Sequence, residues 1–245
     1  MDAEVVLVAV AISFVAASNQ SITGFGFALI TAPLLSVAWE VKPAIAATLL
    51  LGLLVNTVLL VLARGSVSTA RLPGLWAGFL VGVPLGLLFV GAVNTDVLQV
   101  AVGIVVLGAT LVVYLQPSVD GGHDSLPLRL GAGAVSGVLS SATSMGGPPV
   151  VLYLLGRETE IDSYRATIQA YFLLSGVLTA IAFLIVGRIN EDVLLVFAAG
   201  APAVGGGVLF GGWLRRFLNV ERFRRLVVGV LVVTSLSVIT LAVLG

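Results

Sequence analysis

Between Val5 and Trp39 the chain runs without a charged side chain, for about 35 residues, a length that no single transmembrane helix absorbs. A hydrocarbon core is about 30 Å thick, whereas one helix over this stretch would extend roughly 52 Å. The run must therefore break. Ser18-Asn19-Gln20-Ser21-Ile22-Thr23-Gly24-Phe25-Gly26 marks the place, because hydroxyl, amide and glycine residues favour caps and turns over a helix interior. Each half is then expected to be too short to span. A second long run, Leu128 to Leu155, is interrupted likewise by Ser140-Ser141-Ala142-Thr143-Ser144-Met145-Gly146-Gly147-Pro148-Pro149.

Six further apolar runs, 43–63, 74–93, 97–115, 165–186, 191–212 and 225–244, have lengths that suit single crossings. With 59% hydrophobic and only 10% charged residues, the chain is far from the soluble norm of about one quarter charged. Lipid offers the backbone no hydrogen-bond partner, so spans are helices or closed barrels. A barrel would show alternation over segments of about ten residues, and these runs are continuous instead. The expectation is an all-α integral protein of the cell membrane, crossing it several times. Met1 to Gln20 opens with Asp2 and Glu4 where a signal peptide carries Lys or Arg, and it reads as mature sequence.

Sliding the chain against itself by 120 positions pairs Ser21 with Ser141, Thr23 with Thr143, Gly26 with Gly146, Leu34 with Leu154, Leu35 with Leu155 and Glu40 with Glu160. Farther on, the offset drifts by a few residues and aligns Arg64 with Arg188 and Gly103 with Gly229. This predicts a first repeat over 1–115, a polar linker over 116–127 and a second repeat over 128–245 within one membrane domain. Positive charge then distinguishes two topologies. If the broken segments cross, Lys42, Arg157, Arg165, Arg215, Arg216, Arg222, Arg224 and Arg225 oppose Arg64, Arg71, Arg129 and Arg188, eight against four. If they turn back as re-entrant hairpins, only Lys42 and Arg188 oppose the other ten. The hairpin topology is the stronger asymmetry. Each repeat is then one broken hairpin plus three transmembrane helices, an odd number, so the repeats are inverted. Both termini are placed outside the cytoplasm and the linker inside. Inverted repeats with discontinuous helices are a recurrent transporter plan.

Half-helices starting near Gly24 and Gly146 aim unpaired N–H groups and a positive dipole end at the two turns, an arrangement that attracts anions. Pro148 and Pro149 suit a first helical turn, where no N–H is required. Asn19, Gln20, Ser21, Thr23, Gly24 and Gly26 in the first turn, with Ser140, Ser141, Thr143, Ser144, Gly146 and Gly147 in the second, form the candidate substrate-binding set. Two readings of these residues stand: neutral donors for oxyanion oxygens, or caps that satisfy exposed backbone at lipid depth. Arg165 joins them as a guanidinium at the start of an apolar run, either turned inward to an oxyanion or snorkelling to headgroups. Gln169 lies one helical turn beyond on the same face. Thr48 and Asn56 in the corresponding crossing of the first half rank after these, since either serves equally to bond a neighbouring helix.

The remaining chemistry is mostly exclusion. All twelve acidic residues lie at termini, in loops or at helix ends, which leaves no intramembrane carboxylate for a proton relay. There is no cysteine, no H-E-x-x-H and a single histidine, His123, in the linker. No metal site, cofactor or catalytic function is expected. Zero net charge gives no reason to invoke a nucleic-acid partner. The expected partners are a small anionic substrate and the bilayer, with a homodimer open through Gly78, Gly82 and Gly86 or Gly207 and Gly211, although packing within the chain explains that spacing as well. Arg215, Arg216, Arg222, Arg224 and Arg225 read as a topology determinant.

At its two breaks the chain resembles the sulfite exporter TauE/SafE family, whose halves each carry a glycine-rich turn followed by an apolar run with proline. The elements are Gly24-Phe25-Gly26-Phe27-Ala28-Leu29-Ile30-Thr31-Ala32-Pro33-Leu34-Leu35 and Met145-Gly146-Gly147-Pro148-Pro149-Val150-Val151. Pro43-Ala44-Ile45-Ala46-Ala47-Thr48 is similar to the segment after the first hairpin, with Arg165-Ala166-Thr167 as its counterpart. Pro148 and Pro149 depart from the pattern, standing where another glycine and an apolar residue are common. The resemblance implies a permease of about eight membrane segments that exports sulfite or a small organosulfonate. A carrier or channel for another small anion or metabolite is the alternative, and a purely structural membrane protein a more distant one.

Overall fold

The computed structural model describes residues 3–63, 66–115, 124–155, 157 and 161–217. The described residues form nine helices and no strand. In chain order they are α1 (Ala3–Thr23), α2 (Phe27–Ala38), α3 (Val41–Leu62), α4 (Leu72–Ala92), α5 (Thr95–Leu115), α6 (Leu126–Thr143), α7 (Gly147–Leu155), α8 (Ile161–Ile185) and α9 (Glu191–Leu214). Helices α3, α4, α5, α8 and α9 coincide with five of the expected crossings, to within four residues at each end. The span expected at 225–244 lies outside the described residues, as do Arg64, His123, Glu160, Arg222, Arg224, Arg225 and most of the linker.

Both long runs break where hydroxyls and glycines accumulate, but not into equal halves. Helix α1 has 21 residues, long and apolar enough to cross a membrane, whereas α2 has 12. The expectation that each half is too short therefore fails for α1. The reason is local: Ser18 and Thr23 return their hydroxyls to the carbonyls of Phe14 and Asn19, four residues back, so these polar residues continue the helix rather than end it. The linker also closes two residues early, because Leu126 and Pro127 open α6, with proline in the first turn.

Small residues set the packing. Helix α4 lies against α6, and α1 against α9. A Cβ on Gly78, Gly82 or Gly86 would collide with the carbonyl oxygens of Leu130, Ala134 and Val138 on α6. On the other side, Cβ atoms on Gly207 and Gly211 would collide with those of Phe14 and Ser18 on α1. Backbones come this close only where no side chain intervenes. The contacts recur along the chain: Phe14 and Ser18 stand 120 positions before Ala134 and Val138, and Gly82 and Gly86 stand 125 before Gly207 and Gly211. Leucines and valines such as Leu7, Val61, Leu88, Leu184 and Leu209 remain exposed on the outer faces, as lipid contact requires of a protein whose solvent is hydrocarbon. The chain is a multi-pass membrane protein.

Candidate functional site

The first break is a turn of three residues. Gly24 and Gly26 take φ of 92° and 102°, left-handed values that cost glycine little. Gly24 N–H closes back on Gln20 O at 2.7 Å. Thr23 Oγ1 donates to Asn19 O at 2.9 Å and lies 2.7 Å from Phe25 O. Gly26 is the N-cap of α2, and no side chain of its own satisfies that end. Gln20 does so instead: its Oε1 accepts the Phe27 N–H at 3.0 Å.

The second break repeats this with different chemistry. Ser144 holds the left-handed position that Gly24 holds in the first, at φ 59°. Its N–H reaches Ser140 O at 2.8 Å and its hydroxyl donates to Ile45 O of α3 at 2.9 Å, bonds that offset the strain of a non-glycine residue there. Thr143 Oγ1 donates to Leu139 O at 2.8 Å and accepts from the Met145 N–H at 3.3 Å. Ser136 donates to Gly146 O at 2.5 Å and accepts from Tyr171 at 2.9 Å. Helix α7 then starts at Gly147, with Pro148 and Pro149 in its first turn, so this end supplies fewer N–H donors than the start of α2.

Between the two helix starts lies a cavity of about 80 Å³ whose lining contains no charged side chain, room for several waters or one small ion. From the turns it takes Gln20, Gly26, Ser140, Ser144, Gly146 and Gly147; from the centres of α3 and α8 it takes Thr48, Asn56, Tyr171 and Ser175. Ala28 and Leu29 also line it; they belong to the first turn of α2, where the N–H groups have no intrahelical acceptor. Thr48 is fully buried, and its hydroxyl has no hydrogen-bond partner among the described residues. Such an atom costs about 1–3 kcal/mol unless something occupies the cavity beside it. Phe79, Met145, Pro148 and Phe172 close the remaining wall.

A larger cavity, about 670 Å³, opens beside the first turn between the ends of α1, α3 and α9 and the start of α8. Ser21, Gly24, Arg165, Gln169, Arg215 and Arg216 line it, with Asp162. Arg165 donates from a guanidinium nitrogen to Ile22 O at 2.7 Å, at the carbonyl end of α1, where a cation is favoured by the helix dipole. It faces the larger cavity and does not line the small one. Gln169 is buried and donates to Gly24 O at 2.6 Å. Gln20 lines both cavities.

The candidate residues thus divide. Ser21 spends its hydroxyl on Val208 O of α9, and Ser141 shares its own between Gly137 O of α6 and Val83 O of α4. Thr23 and Thr143 stabilise the turns themselves. Asn19 is buried, and its Nδ2 lies 3.4 Å from Phe25 O. The small cavity draws in Ser136, Tyr171 and Ser175, which sequence reasoning did not single out, and Thr48 and Asn56, which it ranked second. The available signal was polarity isolated within an apolar run. Among the described residues, no three His, Cys, Asp or Glu side chains gather as a metal site would need.

The far end of α7 is tied down outside the membrane-spanning segments. Asp124 accepts from Arg129 at 2.6 Å, from Arg71 at 3.2 Å and from the Tyr153 hydroxyl at 2.5 Å. Hydrogen bonds from Arg129 first, then from Tyr153, hold the Asp124 carboxyl well below the usual carboxylate range. Arg157 lies over the Tyr153 ring, 4.5 Å from its centre.

No curated protein and no solved structure matches the chain. A family model does, over residues 9–238, a range that takes in both turns, both cavities and the described helices apart from the first six residues of α1. The chain therefore belongs to the sulfite exporter TauE/SafE family of membrane transporters.

Proposed function

We propose that this chain exports a small sulfur oxyanion, sulfite or a small organosulfonate, and binds it in the small cavity between the two turns. The observation that carries the reading is the charge-free cavity lined by the first-turn residues of α2 and by Thr48, whose buried hydroxyl has no partner among the described residues. An anion leaving water loses several kcal/mol of hydration unless donors replace its shell. Backbone N–H groups at a helix start supply them together with a partial positive charge. Neutral donors hold the ion without a fixed countercharge, which keeps release possible. An inside-negative potential drives an anion outward by roughly 2.3 kcal/mol per charge per 100 mV, so export requires no coupled ion.

The alternating-access frame we propose for this site is a pair of inverted repeats over 1–115 and 128–245, each a re-entrant hairpin plus three crossings, with both termini outside the cell. Support comes from the recurring contacts: Ser21 to Val208 O and Ser141 to Val83 O, Gly24 N–H to Gln20 O and Ser144 N–H to Ser140 O. The test is flux of labelled sulfite and of 2-hydroxyethanesulfonate from proteoliposomes at a set potential, comparing native protein with Thr48→Val. Saturable, potential-sensitive flux with a half-saturation raised about tenfold in the variant is expected. Folded native protein that moves neither anion above empty liposomes rules out the sulfur-anion assignment. Saturable flux that Thr48→Val leaves untouched moves the site out of this cavity.

A further inference from the structure

Gln20 stands where the two cavities meet and is only 3% exposed. Its Oε1 accepts the Phe27 N–H at 3.0 Å, and its Nε2 donates to Asn56 Oδ1 at 2.7 Å and Gln169 Oε1 at 3.2 Å. Gln169 Nε2 continues the chain to Gly24 O at 2.6 Å. Three amides from α1, α3 and α8 therefore form an unbroken hydrogen-bonded wall between the charge-free cavity and the arginine-lined one.

One of these bonds has a particular chemical meaning. The Phe27 N–H is the first free donor of α2, at the positive end of its dipole. A carbonyl oxygen placed there does what an oxyanion oxygen would do. The same side chain, through its other amide atom, holds the wall shut.

We propose that Gln20 is a tethered competitor and gate, its Oε1 occupying the position of a substrate oxygen until an anion displaces it and frees the amide to swing out of the wall. The proposal rests on the anion reading above. A ligand shifts a conformational equilibrium only by its differential affinity for the two states, and here the difference is explicit. A charged oxygen makes a hydrogen bond roughly twice as strong as the neutral amide oxygen it replaces. A neutral solute of equal size gains no such exchange and leaves the wall closed. The gate therefore selects for charge even though the small cavity contains none. Asn56 Oδ1 and Gln169 Oε1 each lose one donor on opening, and Gln169, which lines the larger cavity, has the Arg165 guanidinium there as a replacement donor.

The chain has no cysteine, so a single Ser140→Cys reports access to the small cavity. Two quantities are measured on the full-length protein: the rate of its reaction with N-ethylmaleimide, and the half-saturation for 2-hydroxyethanesulfonate flux. Gln20→Leu removes both amide atoms; about tenfold faster labelling and a half-saturation lowered severalfold are expected. Gln20→Glu keeps an acceptor on Phe27 and makes it charged while losing the Nε2 donor of the wall; labelling speeds up as in the leucine variant, but half-saturation rises at least about tenfold. A merely structural glutamine would move both affinities in the same direction. Gln169→Leu, which loosens the wall but leaves the competitor on Phe27, should speed labelling, and it decides the matter if Gln20→Leu fails to fold. Labelling unchanged in both leucine variants, or Gln20→Glu binding as well as native, overturns the gate. Absence of flux in the native protein overturns the transport reading instead, while the labelling rates still decide whether Gln20 closes the passage.

Discussion

Ser21 and Ser141, 120 positions apart, each bring a hydroxyl to a carbonyl of the neighbouring helix: Ser21 donates to Val208 O of α9 at 2.9 Å, and Ser141 Oγ lies 3.0 Å from Val83 O of α4 while also reaching Gly137 O of its own helix at 2.8 Å. Each hydroxyl thereby ties the helix before a break to the helix packed along it. Neither is free to hold a substrate. Ser141→Ala should lower the thermal unfolding temperature slightly, since an interhelical bond of this kind in a membrane is worth about 0.6 kcal/mol. Its half-saturation for sulfonate flux should match native, and a large rise would return Ser141 to the binding set.

Glycine matters at Gly82 for a different reason. A Cβ there runs into the Ala134 carbonyl, whereas one on Gly91, later in the same helix, meets nothing within 4 Å among the described residues. Gly82→Ala should cost about 1–3 kcal/mol through forced separation of α4 and α6. Gly91→Ala should be neutral or slightly stabilising, because alanine favours helix over glycine. Thermal denaturation in detergent compares the two directly, and equal behaviour would contradict the close packing.

Thr48 and Thr143 provide a second contrast. The Thr48 hydroxyl has no partner among the described residues, so Thr48→Val removes a buried polar atom without breaking a bond seen there, and stability should hold or rise while anion affinity falls. Thr143 spends its hydroxyl on Leu139 O and the Met145 N–H. Thr143→Val should destabilise by about 1 kcal/mol with a smaller effect on affinity. Paired unfolding and flux measurements separate the two roles.

The Asp124 cluster predicts a pH dependence. Its carboxyl is held below the ordinary value of 3.8 in the folded chain, so the unfolded chain takes up the proton first. Asp124 therefore contributes stability that is fully present above about pH 4 and is lost as pH falls below that through the lower folded value. Native protein should show an unfolding temperature insensitive to this group between pH 5 and 8. Asp124→Asn should be less stable than native across that range, with the gap closing below about pH 4. A gap that persists undiminished in acid would mean that charge at Asp124 is not what holds Arg71, Arg129 and Tyr153.

Helix positions were legible because lipid makes a simple demand: enough consecutive apolar residues to cross, and a cap or turn residue where the run exceeds that length. Val41–Leu62, Leu72–Ala92 and Glu191–Leu214 answer it almost to the residue. The break at Gly24 and Gly26 was legible for the same local reason, since few other residues accept positive φ. The length of α1 was not. Whether Ser18 and Thr23 end a helix or extend it depends on whether the hydroxyl bonds backwards to the carbonyl four residues earlier, and composition does not distinguish these outcomes.

What the sequence by itself determined is the solvent and the elements: hydrocarbon around the chain, helices through it, two breaks rich in hydroxyls and glycines, and the family to which those breaks point. Tertiary structure alone decided which polar side chains meet empty space. Ser21 and Arg165 turned to carbonyls of other segments, Ser141 to one of another segment and one of its own helix, Thr23 and Thr143 to their own helices, and Thr48, distant from either break in sequence, was left buried beside a cavity with no partner among the described residues. The physical reason is that a hydroxyl in hydrocarbon takes any acceptor within reach, and what lies within reach is fixed by helix packing between segments more than a hundred residues apart.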